Sequence, residues 1–295
     1  MPGSQSVYTT RAGEFRDIYR ALRRLPELRA RTPVVFCEGD SWFSTPASMN
    51  ILDWLVFPTP EQEERGVPIF GQGGLFFRAE ESGDQATNMF SARRLKGLMG
   101  WYGATDFDIA LLSAGGNDLV GKFLKKAFAG AGRMTVAQAF AVVEKTGRFN
   151  DVRTAYERAL AAMVKLRPAT PIVAHTYCYP LKMGTPADLT IANLGLVALL
   201  KKNAGPWIGP NVGKALPDPD DQRRFARRMI DEFVARVLQP LADDPRFRAN
   251  FRYLDLRGCA PDEDDWFDEM HPRGAVFKKL SEPFAREIRN LFVLR

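Results

Sequence analysis

Histidine and cysteine are scarce in this chain, two and three residues in 295. The cysteines, Cys37, Cys178 and Cys259, are odd in number and include no CxxC pair, which argues against a disulfide framework and a zinc knuckle. Cys37 lies in an apolar run and reads as a small buried hydrophobe. Long apolar runs are missing as well: none approaches the roughly 18 residues of a membrane span. The N-terminal segment MPGSQSVYTTRAGEFRD has no apolar h-region, so a cytoplasmic home is the default expectation. A concentrated basic stripe is also lacking. The net charge of +6 comes from 41 basic and 35 acidic residues that are largely interspersed, so no nucleic-acid partner is expected. The acidic run Asp262–Asp265 has no periodic oxygen-ligand loop around it, and no metal is expected there. No internal repeat or low-complexity tract stands out.

What remains is the balance of a globular protein, 45% hydrophobic and 26% charged, in a chain able to bury one large core. Short apolar runs alternate with helical patterns. Strands are predicted at 33–37 (PVVFC), near 75–79, at 108–113 (DIALLS), 171–176 (PIVAHT) and 251–256. Helices are predicted at 46–57, with Thr45 as N-cap and Pro46 at its first position, through 93–98, and at 151–166, 221–240 and 274–293. Five strand–helix units imply a mostly parallel sheet covered on both faces. In such sheets the working site lies beyond the carboxyl ends of the strands.

The chain is therefore read as one domain over 1–295, with three additions. A helical extension over about 1–32 carries Phe15, Ile18, Tyr19, Leu22, Leu25 and Leu28 at helical spacing. It is expected to pack on the domain, with membrane-surface association as the weaker reading. Two excursions, about 119–150 and 181–220, follow the third and fourth strands and could form a cap over the site.

The polar signals all follow strands. Gly39-Asp40-Ser41 sits at a strand-to-helix turn, where a serine is exposed, although an N-capping serine would look the same. No G-x-S-x-G surrounds it. Ser82-Gly83-Asp84-Gln85 follows the second strand, and the Gly83 amide could serve as an anion donor. Gly115-Gly116-Asn117-Asp118 follows the third, with an uncharged amide able to bind an oxyanion. Asp268-Glu269-Met270-His271-Pro272 precedes the last helix, and its spacing of three lets a carboxylate orient one imidazole nitrogen while the other acts as a base. The second histidine, His175, ends the fourth strand, where it is either structural or a substrate contact. A nucleophile, two donors and an acid–base pair, each after a different strand, form the set that acyl transfer at a sheet edge needs.

This ordered set resembles the SGNH (GDSL-like) lipase and esterase family, whose marker residues Ser, Gly, Asn and His match Ser41, Gly83, Asn117 and His271. Trp42 stands where leucine is frequent and Glu38 where an apolar residue is usual; Gly73 and Gly74 are rivals to Gly83. The blocks span residues 36–272. The resemblance implies a three-layer α/β/α, flavodoxin-like domain with a mostly parallel five-stranded sheet, helical insertions, and no metal or organic cofactor. It implies a serine ester hydrolase in which Ser41, Asp268 and His271 are catalytic, while Ser41, Gly83 and Asn117 form an oxyanion hole. Trp42 and His175 are candidate substrate contacts, and the partner is a small-molecule ester or acyl substrate.

Several readings stay open at this level. An apolar stretch at 189–200, with Trp207 and Ile208, would suit an acyl chain under a cap. An acetylated carbohydrate would favour an open cleft with Trp42, Trp101 and Trp266 as platforms, and an acyltransferase would use the same machinery. A catalytically silent binding module is the non-enzyme alternative, because Glu38 could fill the substrate space or raise the His271 pKa.

Overall fold

The structure, a computed structural model, describes residues 12–45, 48–56, 74–186 and 205–293. Its centre is a five-stranded sheet, wholly parallel, in the order β2-β1-β3-β4-β5. The strands are β1 (Val34–Gly39), β2 (Leu75–Arg78), β3 (Ile109–Ser113), β4 (Ile172–His175) and β5 (Phe251–Leu254). Strands β1 to β4 are buried throughout, which is why they read as continuous apolar runs rather than as alternating patterns. This is the predicted α/β architecture.

Helices cover both faces. α1 (Ala12–Arg23) lays Phe15, Tyr19 and Leu22 into the core, with Phe15 edge-on to Phe77 of β2 at 5.1 Å. Its apolar face is thus spent on packing. α2 (Ser41–Ser44) and α3 (Ile51–Val56) follow β1; α4 (Ala86–Met89) and α5 (Ala92–Ala104) follow β2. α6 (Val136–Lys145) and α7 (Arg148–Leu166) follow β3, with α6 held by a Thr135–Gln138 capping box. After β4 come α8 (Gly209–Val212) and α9 (Pro219–Phe233), and α10 (Gly274–Val293) closes the chain at its predicted bounds. Tyr102 of α5 meets Phe36 of β1 on one face, while Phe284 of α10 meets Phe43 and His175 on the other.

Two predicted helices differ from expectation. Thr45 ends α2 rather than capping the next helix, and α3 begins at Ile51. Asn50 takes the capping role: its side chain accepts from Asp53 N at 3.1 Å, and Asp53 returns the bond to Asn50 N at 3.2 Å. Pro46 lies outside the described residues. The helix expected over 221–240 starts at Pro219 and continues past Phe233 through a π turn, Val234–Leu238, into Gln239–Asp243. The π turn falls just before Pro240, whose ring cannot enter a regular i→i−4 ladder.

Strand order positions the site. The chain leaves β1 for β2 on one side and returns to β3 on the other, so the loops leaving β1 and β3 part over a switch point. Gly39 and Ser113 are register partners at that edge. No helix among the described residues is long and apolar enough to cross a membrane.

Candidate active site

Ser41 is the first residue of α2, directly beyond the β1 edge. Its Oγ lies 2.8 Å from His271 Nε2. The other imidazole nitrogen, Nδ1, is 2.8 Å from Asp268 Oδ2 and 3.0 Å from Oδ1. Asp268 also accepts from the amides of Met270 (2.7 Å) and His271 (2.8 Å), so the DEMH turn is wound around its own carboxylate. The fold thus joins Ser41 to residues 227 and 230 positions downstream, in the donor–acceptor order that activates a hydroxyl.

Gly83 and Asn117 line the same polar hollow as Ser41 and His271, a cavity of about 700 Å³ that Asp84, Gln85 and Lys122 also border. Asn117 Nδ2 donates to Asp84 O at 3.0 Å, and Gln85 Nε2 donates to Asn117 O at 3.1 Å. Asp118 ties the two loops together from below, accepting from Ala86 N and Thr87 Oγ at 2.6 Å each. Gly83 has φ +83°, a conformation glycine adopts at little cost. The rival Gly74 lies at the other end of β2, against Pro33, and Gly73 lies outside the described residues. After β3, Gly115 has φ +106°, and a Cβ at Gly116 would come within 2.8 Å of the Tyr177 ring, so neither position tolerates a side chain.

Beneath Ser41 runs a buried polar chain that the sequence reading did not find. Tyr177 OH donates to Asp40 Oδ2 at 2.5 Å; Asp40 Oδ1 meets Trp42 N at 3.0 Å and Ser113 Oγ at 2.8 Å. Ser113 Oγ is in turn 2.8 Å from His175 Nε2, and His175 Nδ1 donates to Thr176 O at 2.8 Å. With both nitrogens engaged and 1% exposure, His175 lines neither hollow and offers a substrate nothing; it is a structural histidine. The sequence signals for this chain were the aspartate of the GDS triplet and the histidine that ends the fourth strand.

The two titratable ends oppose each other. Burial raises Asp40 to about 6 and lowers His175 to about 4. Asp40 contributes stability that is full below its unfolded value near 3.9 and lost as pH rises through 6. His175 contributes stability that is full above its unfolded value near 6.5 and lost as pH falls through 4. Between pH 4 and 6 the two slopes cancel. Asp40→Asn is expected to uncover the histidine slope. Urea midpoints at pH 4.5, 5.0 and 5.5 should fall more steeply with acid than in the unsubstituted protein, by about 1.4 kcal/mol per pH unit. Parallel curves would show the two groups to be uncoupled from folding.

Glu38 is fully buried on the Phe36 side of β1 and borders neither hollow, so it does not fill the substrate space. Burial pushes its carboxyl well up, with Arg94 only partly offsetting this. Trp42 and Trp266 are buried at 2% and 0% exposure, and Trp101, under Arg16 and against Phe77, lines a separate hollow beside α1; none borders the polar hollow that holds Ser41. The apolar stretch 189–200 lies outside the described residues. Among those residues, no group of three or more His, Cys, Asp or Glu side chains could hold a metal ion.

One carboxylate with a structural task was passed over. Glu269, fully buried inside the DEMH turn, accepts from four backbone amides: Gly184 (2.7 Å), Trp207 (2.5 Å), Ile208 (2.5 Å) and Gly209 (2.6 Å). It fastens both described flanks of the second excursion to the His271 turn, and the Trp207 ring stands edge-on to the imidazole at 5.5 Å.

No protein-family model matches the chain, and no curated protein matches it in sequence. Solved structures do match in fold. A lipase, Lip_vut3 from a goat rumen metagenome, superposes with a TM-score of 0.50 at 12% identity, over 87% of this chain and 97% of that one. A carbohydrate esterase of family 3 from Talaromyces cellulolyticus covers 90% of this chain and 100% of its own at 14% identity, with a TM-score of 0.43. A GDSL-like lipase from Parabacteroides merdae covers 88% and 96% at 14% identity, with a TM-score of 0.41. The α/β fold is therefore shared with the rumen lipase, at a level of identity that speaks for fold alone.

Proposed function

We propose that this protein is a serine ester hydrolase that works through an acyl-enzyme on Ser41. The observation that carries this reading is the 2.8 Å contact between His271 Nε2 and Ser41 Oγ, with Asp268 on the far nitrogen. Ser41 Oγ forms the bond to the ester carbonyl carbon as its proton passes to His271 Nε2. Asp268 holds the imidazole in the tautomer that can accept this proton and stabilises the imidazolium. The amides of Ser41 and Gly83, with the Asn117 side chain, receive the oxyanion. The C–O bond to the alcohol then breaks and His271 protonates the leaving oxygen. Water, deprotonated by His271, attacks the acyl-enzyme and releases the acid and Ser41. A second alcohol in place of water would give acyl transfer.

Asn117→Ala is expected to lower kcat about 100–1,000-fold, the range for loss of one oxyanion donor, with a smaller change in KM. Steady-state kinetics on an activated ester would check this, and an unchanged kcat would remove Asn117 from the oxyanion site. The reading as a whole is tested with a fluorophosphonate probe. Mass spectrometry should find Ser41 modified, and the modification should vanish in His271→Ala. Folded protein that does not react would overturn the proposal.

A further inference from the structure

Beside the polar hollow lies a second cavity of about 60 Å³, beyond the carboxyl ends of β3 and β4. Phe225, Met229 and Phe233, spaced four apart on one face of α9, form one wall; Trp42, Leu119 and Tyr177 form much of the other. None of the described residues that line it is charged, and the Tyr177 hydroxyl is engaged by Asp40. A close-packed interior keeps few such voids, and apolar ones stay dry and take apolar ligands.

Its position relates it to the chemistry. Trp42 follows Ser41, Gly116 precedes Asn117 and Met270 precedes His271, so three wall residues are chain neighbours of the site residues. Val120 and Met270 border both hollows. Ser41, Gly83, Asn117 and His271 all line the polar hollow and not this cavity, so the ester carbonyl is held there and the leaving oxygen receives its proton there; the apolar cavity can be reached only by a substituent that passes Val120 and Met270. The alcohol therefore occupies the polar side, and the acyl substituent is left for the apolar one. An apolar cavity of about 150 Å³ takes a six-carbon benzene ring, so one of about 60 Å³ takes roughly two carbons beyond the carboxyl carbon and its neighbour. Trp42, Tyr177, Phe225, Phe233 and Trp266 are buried rings in its walls; Met229, unbranched and flexible, is the large side chain of the α9 wall best able to yield.

Resting on the ester hydrolysis proposed above, we infer that this cavity is the acyl pocket, that it takes short unbranched acyl chains of up to about four carbons, and that Met229 sets its depth.

The test is kcat/KM for p-nitrophenyl acetate, butyrate, octanoate and laurate, in the unsubstituted protein, Met229→Ala and Ala226→Phe. The unsubstituted protein should favour butyrate over octanoate by about tenfold or more, since each misfitted methylene is worth about that factor. Met229→Ala should raise the octanoate-to-butyrate ratio at least tenfold. Ala226→Phe, which fills the pocket, should lower the butyrate-to-acetate ratio by a similar factor; if it does not fold, Met229→Ala carries the test alone. Octanoate or laurate cleaved as well as butyrate by the unsubstituted protein would overturn the assignment. So would ratios unmoved in the folded variants while Ser41 still reacts with the fluorophosphonate. No ester cleaved, with Ser41 unreactive, would overturn ester hydrolysis itself.

Discussion

Alanine at position 41 is expected to lower kcat/KM for any ester the protein cleaves by about 100,000-fold, with no loss of folding. Among the described residues Ser41 Oγ is hydrogen-bonded to His271 Nε2 alone, and its removal leaves no buried group of the sheet unsatisfied. His271→Ala should cost a similar factor, because the hydroxyl then keeps its proton. The double variant should be no worse than either single one, since the two groups act as a unit. Asp268→Asn should cost about 10,000-fold by disturbing the imidazole tautomer. Kinetics of the four variants, with circular dichroism to establish folding, decide the matter. Additive losses, or wild-type turnover in Ser41→Ala, would place the chemistry on another group.

Glu269→Ala is expected to destabilise the protein by about 3–5 kcal/mol, the usual cost of removing one partner from a buried charged network. The cage explains the size. Four amides from residues 184 and 207–209 point at one carboxylate, and without it those of Ile208 and Gly209 stay buried with no acceptor. Glu269→Gln should recover only part of this, because its amide nitrogen turns a donor toward donors. At about 2 °C per kcal/mol for a chain of this size, the alanine variant should melt near 6–10 °C lower. Turnover should fall as well, since the cage holds the DEMH turn and Trp207 beside His271. Melting curves and kcat for both variants test this; a shift under 2 °C would mean that the excursion is held by other contacts.

The two carboxylates of the DEMHP segment show what could be read in the chain itself. Asp268 was legible because its partner is three residues away, and local spacing dictates that contact. Glu269 was invisible, because its partners lie 60 to 85 residues upstream and are backbone amides, which carry no residue-type signal. His175 and Ser113 meet for the same kind of reason: adjacent parallel strands, far apart in sequence, bring their last residues to one edge. The start of α3 was missed because Thr45 and Asn50 both make good caps, and the α2 turn occupies Thr45 first.

Local order therefore determined the strands, most helices and the three catalytic candidates, since apolar periodicity and short-range turn chemistry act over a few residues. Sheet order, the buried polar chain under Ser41, the Glu269 cage and the apolar cavity were decided only in three dimensions. Each depends on which buried polar group finds its partner across the fold, and on how closely the faces of α9 and the β3–β4 loops approach, and neither is set by neighbours in the chain.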